Sequence, residues 1–95
     1  MAKETSTGAQ VPLKVPGVID TDLGEETVLF HPTEMTYYGL NESASLIWQR
    51  IDGKASVADI TESLVNHTPD DEDQVRAEVL PLVAELLDLG FITVT

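Results

Sequence analysis

Apolar residues change their spacing twice along this chain, and the changes mark its elements. From Val15 to Leu40 they come in short β-prone runs, Val18-Ile19-Asp20, Thr27-Val28-Leu29-Phe30 and Met35-Thr36-Tyr37-Tyr38, each bounded by turn residues. Leu23-Gly24-Glu25-Glu26 and His31-Pro32-Thr33-Glu34 are of hairpin length, so the pattern predicts three strands in an antiparallel meander. Met35 and Tyr37 would share one face of the third strand, and Thr36 and Tyr38 the other.

After Leu40 the period lengthens to that of a helix. Asn41 is a favoured N-cap, and Leu46, Ile47 and Ile51 recur at helical spacing with Trp48 beside them over residues 42–51. Asp52-Gly53 stops this run, because glycine tolerates the left-handed conformation a helix end needs. Ser56 caps a second stripe, Val57, Ile60 and Leu64, over residues 56–66, and His67-Thr68-Pro69 breaks it. Asp70-Asp71-Glu72-Asp73 then opens a long segment ending at Gly90, where carboxylates complement the positive end of the helix dipole by about 0.3–1 kcal/mol each. Pro81 lies inside that segment and should kink it or split it in two. Phe91-Ile92-Thr93-Val94 reads as an extended apolar tail that packs back on the sheet or the helices. The fold class is therefore α+β and winged-helix-like: a three-stranded antiparallel sheet followed by three helices. It forms one domain over residues 14–95, behind a polar, unpatterned and flexible arm at residues 1–13.

On a helical wheel, Val75, Val79, Leu80, Leu82, Val83, Leu86, Leu87 and Leu89 cover an arc of about 180°, wider than the ~100° stripe that packing requires. The surplus is either deeper core or one wall of a groove for an apolar ligand or peptide. The third strand, at a sheet edge, is aromatic and lacks Pro and Lys, so it lacks the usual protections against pairing and can accept an extended peptide as an added strand. Tyr37 and Tyr38 are candidates for a pocket there, one of them as core. Trp48 reads as core, and Arg50 and Arg76 read as partners of neighbouring carboxylates.

Charge and composition narrow the function. Seventeen acidic residues against five basic ones give a net charge of -12 over 95 residues, which repels phosphate backbones and anionic membranes. There is no cysteine for a disulfide or a thiolate zinc site. His31 and His67 are isolated loop histidines outside any metal-ligand spacing, and Asp70-Asp71-Glu72-Asp73 lacks the alternating ligands and central glycine of a calcium loop. The glycines form no phosphate loop, and no serine sits in a nucleophile elbow. These absences point to a protein without a catalytic centre, metal or cofactor. No secretory signal or membrane-length apolar run is visible, so the expected location is the cytoplasm.

Tyr38-Gly39-Leu40-Asn41-Glu42-Ser43-Ala44, then Ile47-Trp48, Ile51-Asp52-Gly53, Ser56-Val57-Ala58-Asp59-Ile60 and a late Leu-rich helix ending Leu89-Gly90-Phe91-Ile92, resemble the PqqD-like family over residues 15–94. That family supplies the precursor-recognition domains (recognition elements) of ribosomally made, post-translationally modified peptides. The resemblance implies a leader segment bound as an added antiparallel strand on Met35, Thr36, Tyr37 and Tyr38, against a helix wall drawn from Val75, Val79, Leu82, Val83 and Leu86. Family members work as free-standing adaptors or fused to modifying enzymes; with nothing else attached, this chain is expected to be a free-standing, non-catalytic adaptor, monomeric or weakly dimeric, that presents the leader to a leader protease, a cyclase or a radical SAM enzyme in a lasso peptide or PQQ-type pathway. The alternative is a winged-helix DNA-binding regulator, which would need a basic recognition surface; residues 70–90 carry only Arg76 as a base.

Overall fold

The computed structural model describes residues 9–67 and 71–95, so most of the expected arm, and Thr68 and Pro69 of the expected break at His67-Thr68-Pro69, lie outside the described residues. Its elements are β1 (Pro12–Lys14), β2 (Ile19–Asp22), β3 (Thr27–His31), β4 (Thr36–Leu40), α1 (Glu42–Gln49), α2 (Val57–Val65), α3 (Glu72–Leu89) and β5 (Ile92–Val94). The expected meander forms as an antiparallel sheet in the order β2-β3-β4, and three helices follow it.

Register sets the two faces of this sheet. Leu29 lies opposite Tyr38 and Thr27 opposite Leu40, with Thr27, Leu29 and Leu40 buried against the helices. Phe30 lies opposite Tyr37 on the outer face, their rings 4.6 Å apart. The core beneath the inner face joins Leu29 and Leu40 to Ile47, Trp48 and Ile51, to Val57, Ile60 and Leu64, and to Val75, Val79, Val83 and Leu86. Trp48 is in this core, as its place on the helix suggested.

A second sheet was not foreseen. The tail becomes β5 and pairs with β1, which takes in Pro12 and Leu13, and Phe91 and Ile92 are buried. Val11 and Thr95 exchange both backbone bonds, and the Val15 amide donates to the Phe91 carbonyl. Because bonded pairs alternate along an antiparallel ladder, Pro12 opposite Val94 falls at a non-bonded position, where its missing N–H costs nothing.

Helix starts follow the expected chemistry. The Asn41 side chain accepts from the Ala44 amide at 2.9 Å, Ser56 forms a capping box with Asp59, and Asp71 forms one with Gln74. Glu72 and Asp73 occupy the first turn of α3, and Gly90 ends that helix at φ 86°.

Three expectations are corrected. Pro81 does not divide the last helix, which runs unbroken from Glu72 to Leu89. Met35 is not a strand residue: it sits at φ 56° in the β3–β4 turn, its amide bonded to the His31 carbonyl at 2.7 Å. Among the described residues Arg50 pairs with no carboxylate and donates to the Ser63 hydroxyl at 3.0 Å, tying α1 to α2, whereas Arg76 does pair with Glu72 and Asp73.

Between α1 and α2 the Asp52 carboxylate accepts from the Lys54 amide at 2.8 Å and the Ala55 amide at 2.9 Å. The Ala55 amide first, then that of Lys54, holds this carboxyl below its ordinary value. Next to it, Gly53 at φ 79° packs so closely that a Cβ there would stand 2.5 Å from Leu13. A carboxyl depressed by folding adds stability above its unfolded pKa, and that stability is lost as pH falls through the native value. Asp52→Ala should therefore lower the Tm at neutral pH, and the gap to the parent protein should close on acidification, read by thermal melts across pH. A gap unchanged in acid would refute this role for the carboxylate.

Candidate functional site

The meander leaves two free edges, β2 and β4, and they differ in chemistry. β2 carries Asp20 and Asp22, charges of the kind that discourage edge pairing. Asp20 also accepts the Trp48 indole N–H at 2.7 Å, while the Lys14 ammonium lies 4.6 Å from the centre of the same ring. β4, Thr-Tyr-Tyr-Gly-Leu, has no charge at all.

Hydrogen-bond alternation identifies the free groups of β4. The Leu23 amide donates to the Glu26 carbonyl at 2.8 Å, which makes that pair a bonded one in the β2–β3 register. Bonded pairs then alternate, so β3 uses Val28 and Phe30 toward β2 and Thr27 and Leu29 toward β4. Tyr38 and Leu40 consequently pair inward, and Tyr37 and Gly39 turn their N–H and C=O groups to the open edge.

Beside that edge lies a groove of about 320 Å³. Tyr38, Gly39 and Leu40 form its strand side, Asn41, Ser43, Ala44 and Ile47 of α1 its floor, and Ala77, Glu78, Pro81, Leu82 and Glu85 of α3 its far wall. Glu78, Pro81, Leu82 and Glu85 follow the i, i+3, i+4, i+7 spacing of one helix stripe. Pro81 has no N–H, so the Ala77 carbonyl on the same wall lacks its usual helix donor. Burial, together with its interaction with the Glu85 carboxylate, pushes the Tyr38 hydroxyl above its ordinary value.

The groove brings together only part of the expected site. Tyr38 and Leu82 line it, while Thr36 shares the inner face of β4 at its other end. Tyr37 is 71% exposed on the outer face against Phe30, and offers the groove side only its backbone. Met35 lies in the turn. Val75, Val79, Val83 and Leu86 are at most 5% exposed and face the core beneath the wall, not the groove. Their burial is what fixes α3 in place, so the groove stripe sits one step round the helix from them. An apolar wheel passes over Glu78 and Glu85, a helix-breaking proline hides Pro81, and Gly39 lies one residue beyond the run Met35 to Tyr38. Among the described residues, no group of three or more His, Cys, Asp or Glu side chains could hold a metal ion.

Fold and site together define a winged-helix-like α+β domain with an uncharged strand edge beside a helix-walled groove. The family of coenzyme PQQ synthesis protein D (PqqD) matches residues 26–92, well over half of the chain, and the chain belongs to that family. The structure of TbiB1 in complex with the TbiA(beta) leader peptide has the same fold, with a TM-score of 0.76 and 20% identity, covering 84% of this chain and 93% of that one. The structure of lasso peptide synthetase B1 complexed with the leader peptide superposes with a TM-score of 0.75 and 23% identity, covering 87% of this chain and 98% of that one. A comparison with curated proteins yields no match.

The split between core and wall can be measured. A carboxylate at Val79 has no solvent to reach, at a cost of several kcal/mol against the roughly 5–15 kcal/mol that a typical domain has in total. Val79→Asp should abolish cooperative unfolding by circular dichroism, whereas Leu82→Asp should retain it. Loss of the transition in both would place Leu82 in the core instead.

Proposed function

We propose that this chain is a non-catalytic adaptor that binds the leader segment of a ribosomally synthesised precursor peptide as an added strand on β4 and presents it to a modifying enzyme. The observation that carries this reading is the edge of β4, uncharged and open at Tyr37 and Gly39 beside the groove. Family membership supports it, as does a fold shared with two proteins solved in complex with leader peptides. The partner enzyme would be a leader protease, a cyclase or a radical SAM enzyme, in a lasso peptide or PQQ-type pathway, and the adaptor would work in the cytoplasm, where precursors are made. No described helix is long and apolar enough to cross a membrane.

Magnitudes divide the work of binding. Tyr37 and Gly39 offer four backbone groups, each worth about 0.5–1.5 kcal/mol net, so the ladder contributes about 2–6 kcal/mol before the leader's ordering cost. Micromolar affinity needs about 8 kcal/mol, so side chains in the groove must supply the rest. The DNA-binding reading finds no support, because Arg76, the only base of α3, is engaged by Glu72 and Asp73.

The test titrates the isotope-labelled protein with the leader of a neighbouring precursor gene. Amides of Tyr37 and Gly39 should shift and gain protection from hydrogen exchange, while those of Tyr38 and Leu40 should be protected already. Gly39→Pro removes an outward donor at a position where an added Cβ meets nothing within 4 Å, so the fold should survive and affinity should fall about tenfold or more. Scattered shifts, or none at high micromolar peptide, would sink the proposal.

A further inference from the structure

We infer that the α3 wall of the groove selects leaders carrying lysine or arginine on the strand face turned toward it, with Glu78 and Glu85 accepting the charge. The inference rests on the strand-addition reading above and adds to it the chemistry of the bound segment.

The wall offers acceptors and no donors. Its polar groups are the Glu78 and Glu85 carboxylates and the Ala77 carbonyl that Pro81 leaves without its helix donor. Among the described residues, no basic side chain lines the groove. The described cations are engaged elsewhere or lie outside it: Lys14 over Trp48, Arg50 on Ser63, Arg76 on Glu72 and Asp73, and Lys54 in the turn after α1. Glu85 is shared with Tyr38, and neither Glu78 nor Glu85 has a cationic partner among the described residues. A leader with an acidic residue at this wall would face two carboxylates and no counter-charge, whereas a basic one finds both.

Shape supports the same choice. Pro81 and Leu82 lie between the two carboxylates and present an apolar bed on which the methylene stem of Lys or Arg can lie while its head reaches a carboxylate. Glu78 and Glu85 are two turns apart, about 10 Å along the axis at about 1.5 Å per residue. Alternate residues of an extended strand point the same way at a spacing of about 6.7 Å, so two basic side chains at i and i+2, with flexible stems, can engage both carboxylates. The groove is open to solvent, so the attraction should weaken as salt rises.

The test pans a displayed library of random short peptides against the parent protein, Gly39→Pro, and the double variant Glu78→Lys/Glu85→Lys, with circular dichroism confirming that each is folded. Both glutamates are exposed, so the reversal should leave the fold intact. The parent should enrich β-prone peptides with Lys or Arg at alternate positions, and the double variant should enrich Asp or Glu there. A peptide recovered on the parent should bind the double variant about tenfold or more weakly, since an exposed ion pair is worth up to about fivefold and reversal adds repulsion. Peptides recovered without basic enrichment, or with the same charge pattern on parent and double variant, would overturn the inference and leave strand addition standing. No recovery on the parent above Gly39→Pro would overturn strand addition and the inference with it.

Discussion

Val75, Val79, Val83 and Leu86 recur along one side of α3, and their burial against Leu29, Leu40, Ile47 and the α2 side chains holds that helix to the sheet. The groove depends on this contact, because its two sides belong to elements far apart in sequence and the buried face of α3 sets where that helix lies. Removing a core side chain of this kind costs about 2–5 kcal/mol in typical domains. The C-terminal strand reinforces the placement. Phe91 follows the left-handed Gly90 and is enclosed completely, with its ring 6.1 Å from that of Tyr38 and 5.9 Å from that of His31. Pairing of β5 with β1 then fastens the end of α3 to the start of the domain.

Backbone accounting shows which polar groups the β4 edge leaves open. The helix N-termini are capped by side chains, and Pro12 is set where the short ladder needs no donor. Three of the groups left open gather at the groove side of the fold: the outward groups of Tyr37 and Gly39, and the Ala77 carbonyl that Pro81 leaves without its helix donor. In water such groups are solvated at little cost, and they become a resource when an extended chain displaces that water. Gly39 contributes by having no side chain, since nothing stands over its edge position.

Much of this was legible in the residues because local chemistry and tertiary contacts agree. The β-prone run through Tyr37 and Tyr38, the cap at Asn41, the capping residue Ser56 and the stop at Gly90 each dictate an element on their own. Where non-local pairing decides, the reading fell short. Pro12 to Lys14 becomes a strand only because Ile92 to Val94 returns beside it, and no period within three residues can announce that. Pro81 was overweighted for a related reason: the helix penalty is local, while the buried valines on either side of it hold α3 continuous. The groove wall was hidden because two of its members are carboxylates, which a search for apolar surplus passes over. The stripe Glu78, Pro81, Leu82, Glu85 has helical spacing, but only knowledge of which face packs on the sheet assigns it a partner.

The arrangement separates holding from choosing. Under the proposed strand addition, bonds to the β4 backbone would accept any extended chain without proline at the paired positions, conferring affinity with little discrimination. Discrimination must come from side chains over the strand, and on α3 these are the residues that carry no core load: Glu78, Pro81 and Glu85 are exposed, while Val79 and Leu86 beneath them are enclosed. Substitution at exposed positions typically shifts stability by no more than about 0.5 kcal/mol, whereas core changes cost several times that. A domain built this way can change which segment it prefers without repacking its interior. The fold is kept at the low sequence identity seen with its structural neighbours, and under the proposed strand addition the exposed α3 wall would be free to follow the chemistry of the bound segment.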